Sequence, residues 1–127
     1  MNGETAKTLL IVDDEPGVRL VLERMLQRLG YGVLSAETAR QGLEAVAEHG
    51  EISLIVLDLG LPDMKGEAVL ERLADMGSGL PVLVSSGASA EELEALMAKQ
   101  GAVAGVLRKP FRLPELEQAV ARCFEAG

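Results

Sequence analysis

The sequence LLIVDDE, residues 9–15, is an uninterrupted aliphatic run that ends in three carboxylate side chains. An apolar run without polar alternation is typical of a strand covered on both faces, as in a parallel sheet. Four further strand-sized runs follow along the chain: Val33-Leu34, Leu54-Ile55-Val56-Leu57, Val82-Leu83-Val84 and Val106-Leu107. The sequence therefore predicts five short, buried strands.

Helical patterns separate these strands. In the first pattern, Gly30 supplies a left-handed stop, and apolar residues recur at helical spacing at Val18, Val21, Leu22, Met25, Leu26 and Leu29. Residues 40–48, 67–74, 90–100 and 113–125 repeat the pattern, and in the last of these we expect a buried stripe of Leu116, Val120 and Cys123 or Phe124. Five strand–helix units with right-handed crossovers predict an α/β fold, a three-layer, doubly wound parallel sheet.

Length and composition exclude several classes of protein. The 127 residues suit a single domain, residues 1–127, with one core. A net charge of -8 and an aromatic content of 2% argue against direct nucleic-acid binding. No apolar run approaches the roughly 20 residues that span a bilayer, so we expect no membrane contact. Cys123 is the only cysteine, which excludes an internal disulfide and favours a cytoplasmic location.

Polar side chains follow four of the predicted strands. Asp13 and Asp14 come directly after the first strand, Asp58 after the third, Ser85-Ser86-Gly87 after the fourth, and Lys109 after the fifth. In open parallel sheets the ligand site lies beyond the carboxyl ends of the strands, where the winding direction reverses. We therefore expect these side chains to share one pocket.

The chemistry of this set favours phosphoryl transfer. Clustered carboxylates repel one another unless a cation compensates them, and oxygen ligands without histidine or cysteine favour Mg²⁺. Phosphoryl transfer needs a nucleophile, a cation and fixed donors for the phosphoryl oxygens. Asp58 can be the nucleophile and Asp13 and Asp14 can hold the metal. The remaining donors would be Ser86, the Gly87 backbone N–H and Lys109.

These motifs, in this order and spacing, resemble the receiver-domain family of response regulators in two-component signalling. The resemblance runs from about Lys7 to about Phe124. It is carried by four segments: residues 9–16 (LLIVDDEP), 57–66 (LDLGLPDMKG), 81–87 (PVLVSSG) and 109–111 (KPF). It implies the flavodoxin-like fold of CheY-like receivers, with five parallel strands in the order 2-1-3-4-5.

The resemblance also implies roles for individual residues. Asp14 and Asp58 would be direct metal ligands, the Gly60 carbonyl a third, and Asp13 would act largely through water. Ser86, five residues after Pro81, matches the switch hydroxyl of the family, and Ser85 does not. The bond between Lys109 and Pro110 would be cis. The metal would be Mg²⁺, with Mn²⁺ as a substitute.

The family resemblance further implies partners. Asp58 would receive its phosphoryl group from a phosphohistidine on a sensor histidine kinase or a histidine phosphotransfer domain, and phosphorylation would switch a surface that binds an output domain or protein. The isolated domain would catalyse its own phosphorylation and dephosphorylation without being a turnover enzyme. We expect a monomer or weak dimer.

Two other functions and two contexts are compatible with a sheet of this kind. An aspartate-nucleophile phosphatase needs a second Asp two residues after the nucleophile, where this chain has Gly60. A phosphate-independent interaction module usually has an incomplete pocket, whereas this one is complete. The chain is either a stand-alone shuttle or a receiver excised from a larger protein, and residues 59–63 (LGLPD) resemble hybrid sensor kinases, which favours excision.

Two features depart from common receivers. Many have Tyr or Phe three residues before the pocket lysine, and this chain has Val106, so we expect its signal to travel by a different rearrangement or to be weakly transmitted. Gly60 and Ala88, two residues after Asp58 and Ser86, are small, so we expect neither side chain to position or block an attacking water.

Overall fold

The computed structural model describes residues 7–87, 91, 94, 95 and 103–126. Its strands are β1 (Thr8–Val12), β2 (Gly32–Ala36), β3 (Ile52–Asp58), β4 (Val82–Ser86) and β5 (Val103–Arg108). Its helices within those ranges are α1 (Pro16–Arg28), α2 (Ala39–Glu48), α3 (Gly66–Asp75) and α4 (Leu113–Ala126). Each of these elements contains or nearly matches a segment that the sequence predicts. Of the helix predicted over residues 90–100, only residues 91, 94 and 95 are described, and these are helical, while the rest lies outside the described residues.

All five strands form one parallel sheet in the order β2-β1-β3-β4-β5, which confirms the predicted fold. The order places β1 and β3 at the centre, and the winding direction reverses between them. Val12 lies opposite Leu57 across this central pair, and Asp58 lies opposite Ser85 on β4. The carboxyl ends of the strands are therefore nearly level, and the residues that follow them meet along one edge.

Two apolar layers cover the sheet. On one face, α2 and α3 bury a cluster that includes Leu10, Val12, Ile55, Leu57 and Leu70. On the other, α1 and α4 bury a second cluster that includes Leu9, Ile11, Leu54, Val56 and Cys123. Successive residues of β1 and β3 thus enter opposite layers, because side chains alternate along a strand. This double burial explains why residues 9–12 of β1 and 54–57 of β3 are all apolar.

The last helix has the buried stripe that the sequence predicts. Leu116, Val120 and Cys123 are fully buried, and of the two alternatives at the end of the stripe Cys123 is the buried one, while Phe124 is only partly covered. Burial raises the pKa of the Cys123 thiol to about 11, which fits a packing role. No helix within the described residues is long and apolar enough to cross a membrane.

One residue of the apolar pattern in α1 lies outside the buried stripe. Leu22 and Leu26 are fully buried, but Val21 is 46% exposed. Each residue turns an α-helix by about 100°. Val21 therefore lies on the flank of the stripe that Leu22 and Leu26 define. The predicted stop at Gly30 is confirmed, since its φ of 97° lies in the left-handed region.

The packing of α2 on β1 gives a stability prediction. A Cβ atom added at Gly42 would lie 2.7 Å from Val12 Cγ2 and 3.2 Å from Cγ1. We expect Gly42→Ala to lower the free energy of unfolding by about 1–3 kcal/mol, measured by urea denaturation, because a buried valine has little freedom to move. Gly17→Ala in α1 is the matched control, since no atom lies within 4 Å of its added Cβ. It should be neutral or stabilising by up to about 1 kcal/mol.

A Val12→Ala background checks the cause of the Gly42 effect. It removes both methyl groups that the new Cβ would meet, so Gly42→Ala should cost clearly less there than in the wild type. An equal cost in the two backgrounds would show that contact with Val12 is not the reason.

Candidate functional site

The site lies just beyond the carboxyl ends of the strands, and backbone hydrogen bonds extend the sheet into it. The N–H of Asp13 donates to the Ala36 carbonyl at 3.1 Å, and the N–H of Lys109 donates to the Ser86 carbonyl at 2.9 Å. Asp58 is the last residue of β3 itself. The side chains of Asp13, Asp58 and Lys109 therefore project from backbone that the sheet holds in place.

Four carboxylates form a cluster there. One oxygen from each of Asp13, Asp14, Glu15 and Asp58 lies within 4.8 Å of the other three. Asp13 is 1% exposed and Asp58 5%, whereas Glu15 is exposed. The Glu15 N–H also donates to Asp13 Oδ1 at 2.9 Å, which orders the loop after β1. The structure thus brings the predicted Asp13, Asp14 and Asp58 together.

Lys109 is the cation of this cluster. Its Nζ lies 3.3 Å from Asp13 Oδ2, 3.4 Å from Asp58 Oδ1 and 3.9 Å from Glu15 Oε1. Burial acts to lower the pKa of Lys109, but the negative charges of Asp58 and Asp13 outweigh it and leave this pKa above its ordinary value. Lys109 is therefore a firmly charged ammonium. The Lys109–Pro110 peptide bond is cis, as the family resemblance implies.

Asp58 is held in an environment that disfavours its negative charge. Burial raises the pKa of its carboxyl group, and the charge of Asp13 adds to this effect. The Gly60 N–H, which donates to Asp58 Oδ1 at 3.0 Å, and the Lys109 ammonium only partly oppose the rise. The Lys109 ammonium lies within 3.9 Å of three of the four clustered carboxylates, which leaves the cluster with an excess of negative charge. This excess of negative charge on hard oxygen ligands fits a divalent ion such as Mg²⁺.

The two serines at the end of β4 differ in their surroundings. Ser85 is 1% exposed and lies opposite Asp58 across the strand pair. Its hydroxyl has no hydrogen-bond partner within the part of the chain that the structure describes. Ser86 is 9% exposed and ends the strand, and Gly87 follows in an exposed bend. The predicted contacts of Ser86, the Gly87 N–H and the Gly60 carbonyl with a bound group remain predictions.

Three side chains that support the site were not singled out from the sequence. Glu15 joins the carboxylate cluster, and its place directly after Asp13-Asp14 was the available signal. Arg19, on α1, donates from Nη1 to the Asp13 carbonyl at 2.8 Å. Asp63 accepts from the backbone N–H groups of Ala39 and Arg40, which lowers the pKa of its carboxyl group. No local sequence pattern predicts the contacts of Arg19 and Asp63.

Comparison with known proteins places this geometry in a family. The family model described as "Response regulator receiver domain" matches residues 9–121. The transcriptional regulatory protein KdpE of Escherichia coli is 38% identical over 109 residues, which cover 86% of this chain and 47% of that protein. The sensor kinase CckA of Brucella abortus is 34% identical over 119 residues, 93% of this chain and 12% of that protein.

Solved structures of response regulators have a similar fold. The chemotaxis response regulator CheY4 of Vibrio cholerae has a TM-score of 0.84 at 26% identity, covering 94% of this chain and 99% of that one. The response regulator TrrA of Thermotoga maritima, solved in complex with Mg²⁺ and beryllofluoride, has a TM-score of 0.80 at 25% identity, covering 92% and 98%.

The chain spans less than half of the length of both curated relatives, 47% of KdpE and 12% of CckA. The similarity is therefore to one part of those proteins. Within that part, the family match covers all five strands, apart from the first residue of β1, and all the clustered carboxylates. This chain belongs to the response regulator receiver domain family of two-component signalling proteins.

Proposed function

We propose that Asp58 is the phosphoacceptor of this receiver domain. The observation that carries the proposal is the buried carboxylate of Asp58 within 3.4 Å of the Lys109 ammonium and in a cluster with three further carboxylates. A nucleophile at the end of a central strand has a backbone that the sheet holds in place. That arrangement suits in-line attack by a carboxylate oxygen on phosphorus.

In the proposed reaction, an oxygen of Asp58 forms a bond to phosphorus while the phosphorus–nitrogen bond to the donor histidine breaks. The electron pair of that bond stays with the imidazole, and the product is an aspartyl phosphate. Lys109 would neutralise charge on the phosphoryl oxygens, and the Ser86 hydroxyl and Gly87 N–H would donate hydrogen bonds to them. A lysine that already bridges Asp13 and Asp58 needs only a small displacement for this role.

The carboxylate cluster is the proposed cation site. Asp14, Asp58 and the Gly60 carbonyl would bind Mg²⁺ directly, Asp13 would act largely through water, and Mn²⁺ would serve as a substitute. Glu15 adds a fourth carboxylate at the exposed rim. When bound, the ion supplies positive charge that offsets the negative charge of the phosphoryl oxygens.

The partners follow from the receiver chemistry. We propose a sensor histidine kinase or histidine phosphotransfer domain as donor, and an output domain or protein that recognises the phosphorylated state. Residues 1–127 would form one domain, with a core from about residue 7 to 124, acting in the cytoplasm as a monomer or weak dimer. The net charge of -8 supports the absence of direct nucleic-acid contact. As an isolated domain it would not be a turnover enzyme.

Acetyl phosphate tests the phosphoacceptor. With Mg²⁺ present, the chain should gain one phosphoryl group by intact-mass spectrometry, and Asp58→Asn should abolish the gain because the amide is not a nucleophile. Asp75→Asn, at the exposed end of α3, is the control and should be labelled normally. Equal labelling of Asp58→Asn and the wild type would exclude Asp58. An unlabelled wild type would favour the phosphate-independent interaction module.

Neighbouring serines test which hydroxyl serves the phosphoryl group. Ser86→Ala should slow phosphorylation by acetyl phosphate by about tenfold or more, because it removes a donor to the phosphoryl oxygens. Ser85→Ala deletes the same atom one residue earlier and should leave the rate within about twofold. Equal rate losses in the two variants would remove the distinction between them.

Lys109→Met tests the balance of charge. It keeps the length of the side chain but removes the cation that competes for the carboxylates, so Mg²⁺ should bind more tightly by about tenfold in isothermal titration. Phosphorylation by acetyl phosphate should nevertheless become slower, because the phosphoryl oxygens lose a donor. Lys7→Met, whose ammonium lies over Phe124 instead, should change neither quantity. Weaker Mg²⁺ binding in Lys109→Met would contradict this account.

A further inference from the structure

Asp63 joins the loop after Asp58 to a different helix. The loop, residues 59–65, runs from β3 to α3 and carries Gly60. Asp63 Oδ1 accepts from the Ala39 N–H at 3.0 Å, and Oδ2 accepts from the Arg40 N–H at 3.2 Å. Ala39 and Arg40 begin α2, and their N–H groups have no partner within that helix. Both oxygens of Asp63 are engaged, so the orientation of its carboxylate is fixed.

Helix α2 already carries a cap of its own. Thr38 Oγ1 accepts from the Gln41 N–H at 3.1 Å, and Gln41 Oε1 accepts from the Glu37 N–H at 3.0 Å. This pair resembles a capping box, except that Gln41 accepts from the residue before the N-cap Thr38, and it is built from residues close in sequence. Asp63 reaches the same turn from 24 residues away. Its contact therefore restrains the position of its own loop as well as the start of the helix.

The restrained loop is short and contains a proposed cation ligand. At its near end, the Leu59 N–H donates to the Ser85 carbonyl at 3.2 Å. At its far end, Asp63 is attached to α2. Only residues 60–62 lie between these two anchors, and Pro62 has a fixed φ. Gly60, whose N–H donates to Asp58 Oδ1 at 3.0 Å, is thus held from both sides.

The same contact links the two halves of the carboxylate cluster. The Asp13 N–H donates to the Ala36 carbonyl at 3.1 Å, and the chain continues from Ala36 through Thr38 into α2. Asp63 then connects α2 to the loop whose Gly60 contacts Asp58. Asp13 and Asp58 are therefore tied together outside the sheet as well as within it.

We infer that Asp63 is a positioning residue for cation binding and phosphorylation at Asp58. It touches neither the cation nor the phosphoryl group, and it acts by fixing the loop that presents the Gly60 carbonyl. The inference rests on the proposed roles of Asp58 and Gly60. It goes beyond them by naming the contact that sets the geometry of the loop.

Two cap deletions on the same helix turn provide the test. Asp63→Ala and Thr38→Ala each remove a side chain that caps α2, so both should lower the thermal unfolding midpoint without Mg²⁺. Only Asp63→Ala should weaken Mg²⁺ binding, by about tenfold in isothermal titration, with a matching loss in the rate of acetyl phosphate labelling. Thr38→Ala should stay within about twofold of the wild type in both, because it leaves the loop attached.

Two further variants separate position from charge. Glu44→Gln removes one negative charge from the groove that Asp63 also lines, and it should change Mg²⁺ binding by less than about twofold. Asp63→Asn retains one accepting oxygen and should fall between Asp63→Ala and the wild type. If Asp63→Ala binds Mg²⁺ as well as Thr38→Ala does, or if Glu44→Gln loses as much affinity, the positioning role is excluded.

The wild-type control keeps the two proposals apart. Labelling of wild type with loss in Asp58→Asn supports the phosphoacceptor whatever Asp63 does. Labelled wild type with an unimpaired Asp63→Ala overturns the positioning role alone. A wild type that binds no Mg²⁺ and takes no phosphoryl group overturns the proposed function, and the role of Asp63 fails with it.

Discussion

The proximity of Asp13 and Asp58, two almost fully buried carboxylates on adjacent strand ends, is the constraint on which the site depends. Burial and mutual repulsion both disfavour two negative charges in such a place. Lys109 compensates part of this cost from 3.3 and 3.4 Å. The residual negative charge favours binding of a cation, and a bound cation would in turn favour binding of a phosphoryl group. The same buried charges that lower the stability of the fold at this edge of the sheet therefore favour cation binding there.

The fold makes this arrangement possible because β1 and β3 are neighbours in the sheet. About 45 residues of sequence separate the ends of these strands, because parallel strands must be joined by long crossover connections. The apolar side chains of β1 and β3 enter both layers, and the carboxylates of Asp13 and Asp58 stand at the carboxyl ends of the two strands. Backbone hydrogen bonds that continue past the strands then fix Asp13 and Lys109. The positions of these charged residues are thus set mainly by backbone hydrogen bonds and depend little on the packing of their side chains.

The strands, the helices and the location of the main charged residues could be predicted from the sequence. Strand order and the carboxyl ends of the apolar runs define where Asp58 and Lys109 must lie. The sequence was insufficient where a contact depends on relative rotation or on distant backbone. Val21 belongs to the apolar pattern of α1 but is exposed, because helical periodicity does not define how wide a stripe the sheet will cover. Two hydrogen bonds could not be predicted, one from Arg19 to the Asp13 carbonyl and one from the start of α2 to Asp63. No local sequence pattern shows that these segments contact each other. Most of the helix predicted over residues 90–100 lies beyond the described part of the chain, so its bounds stay a prediction.

Cys123 has a practical consequence for spectroscopy. Its sulfur is fully covered, and a Cβ added at Gly105 would lie only 3.0 Å from it, so the thiol is enclosed between α4 and β5. With its pKa raised to about 11, it holds very little thiolate at neutral pH. Maleimide dyes and spin labels react with exposed thiolates. A cysteine introduced on the surface could therefore carry a single reporter group while the native thiol is left unaltered.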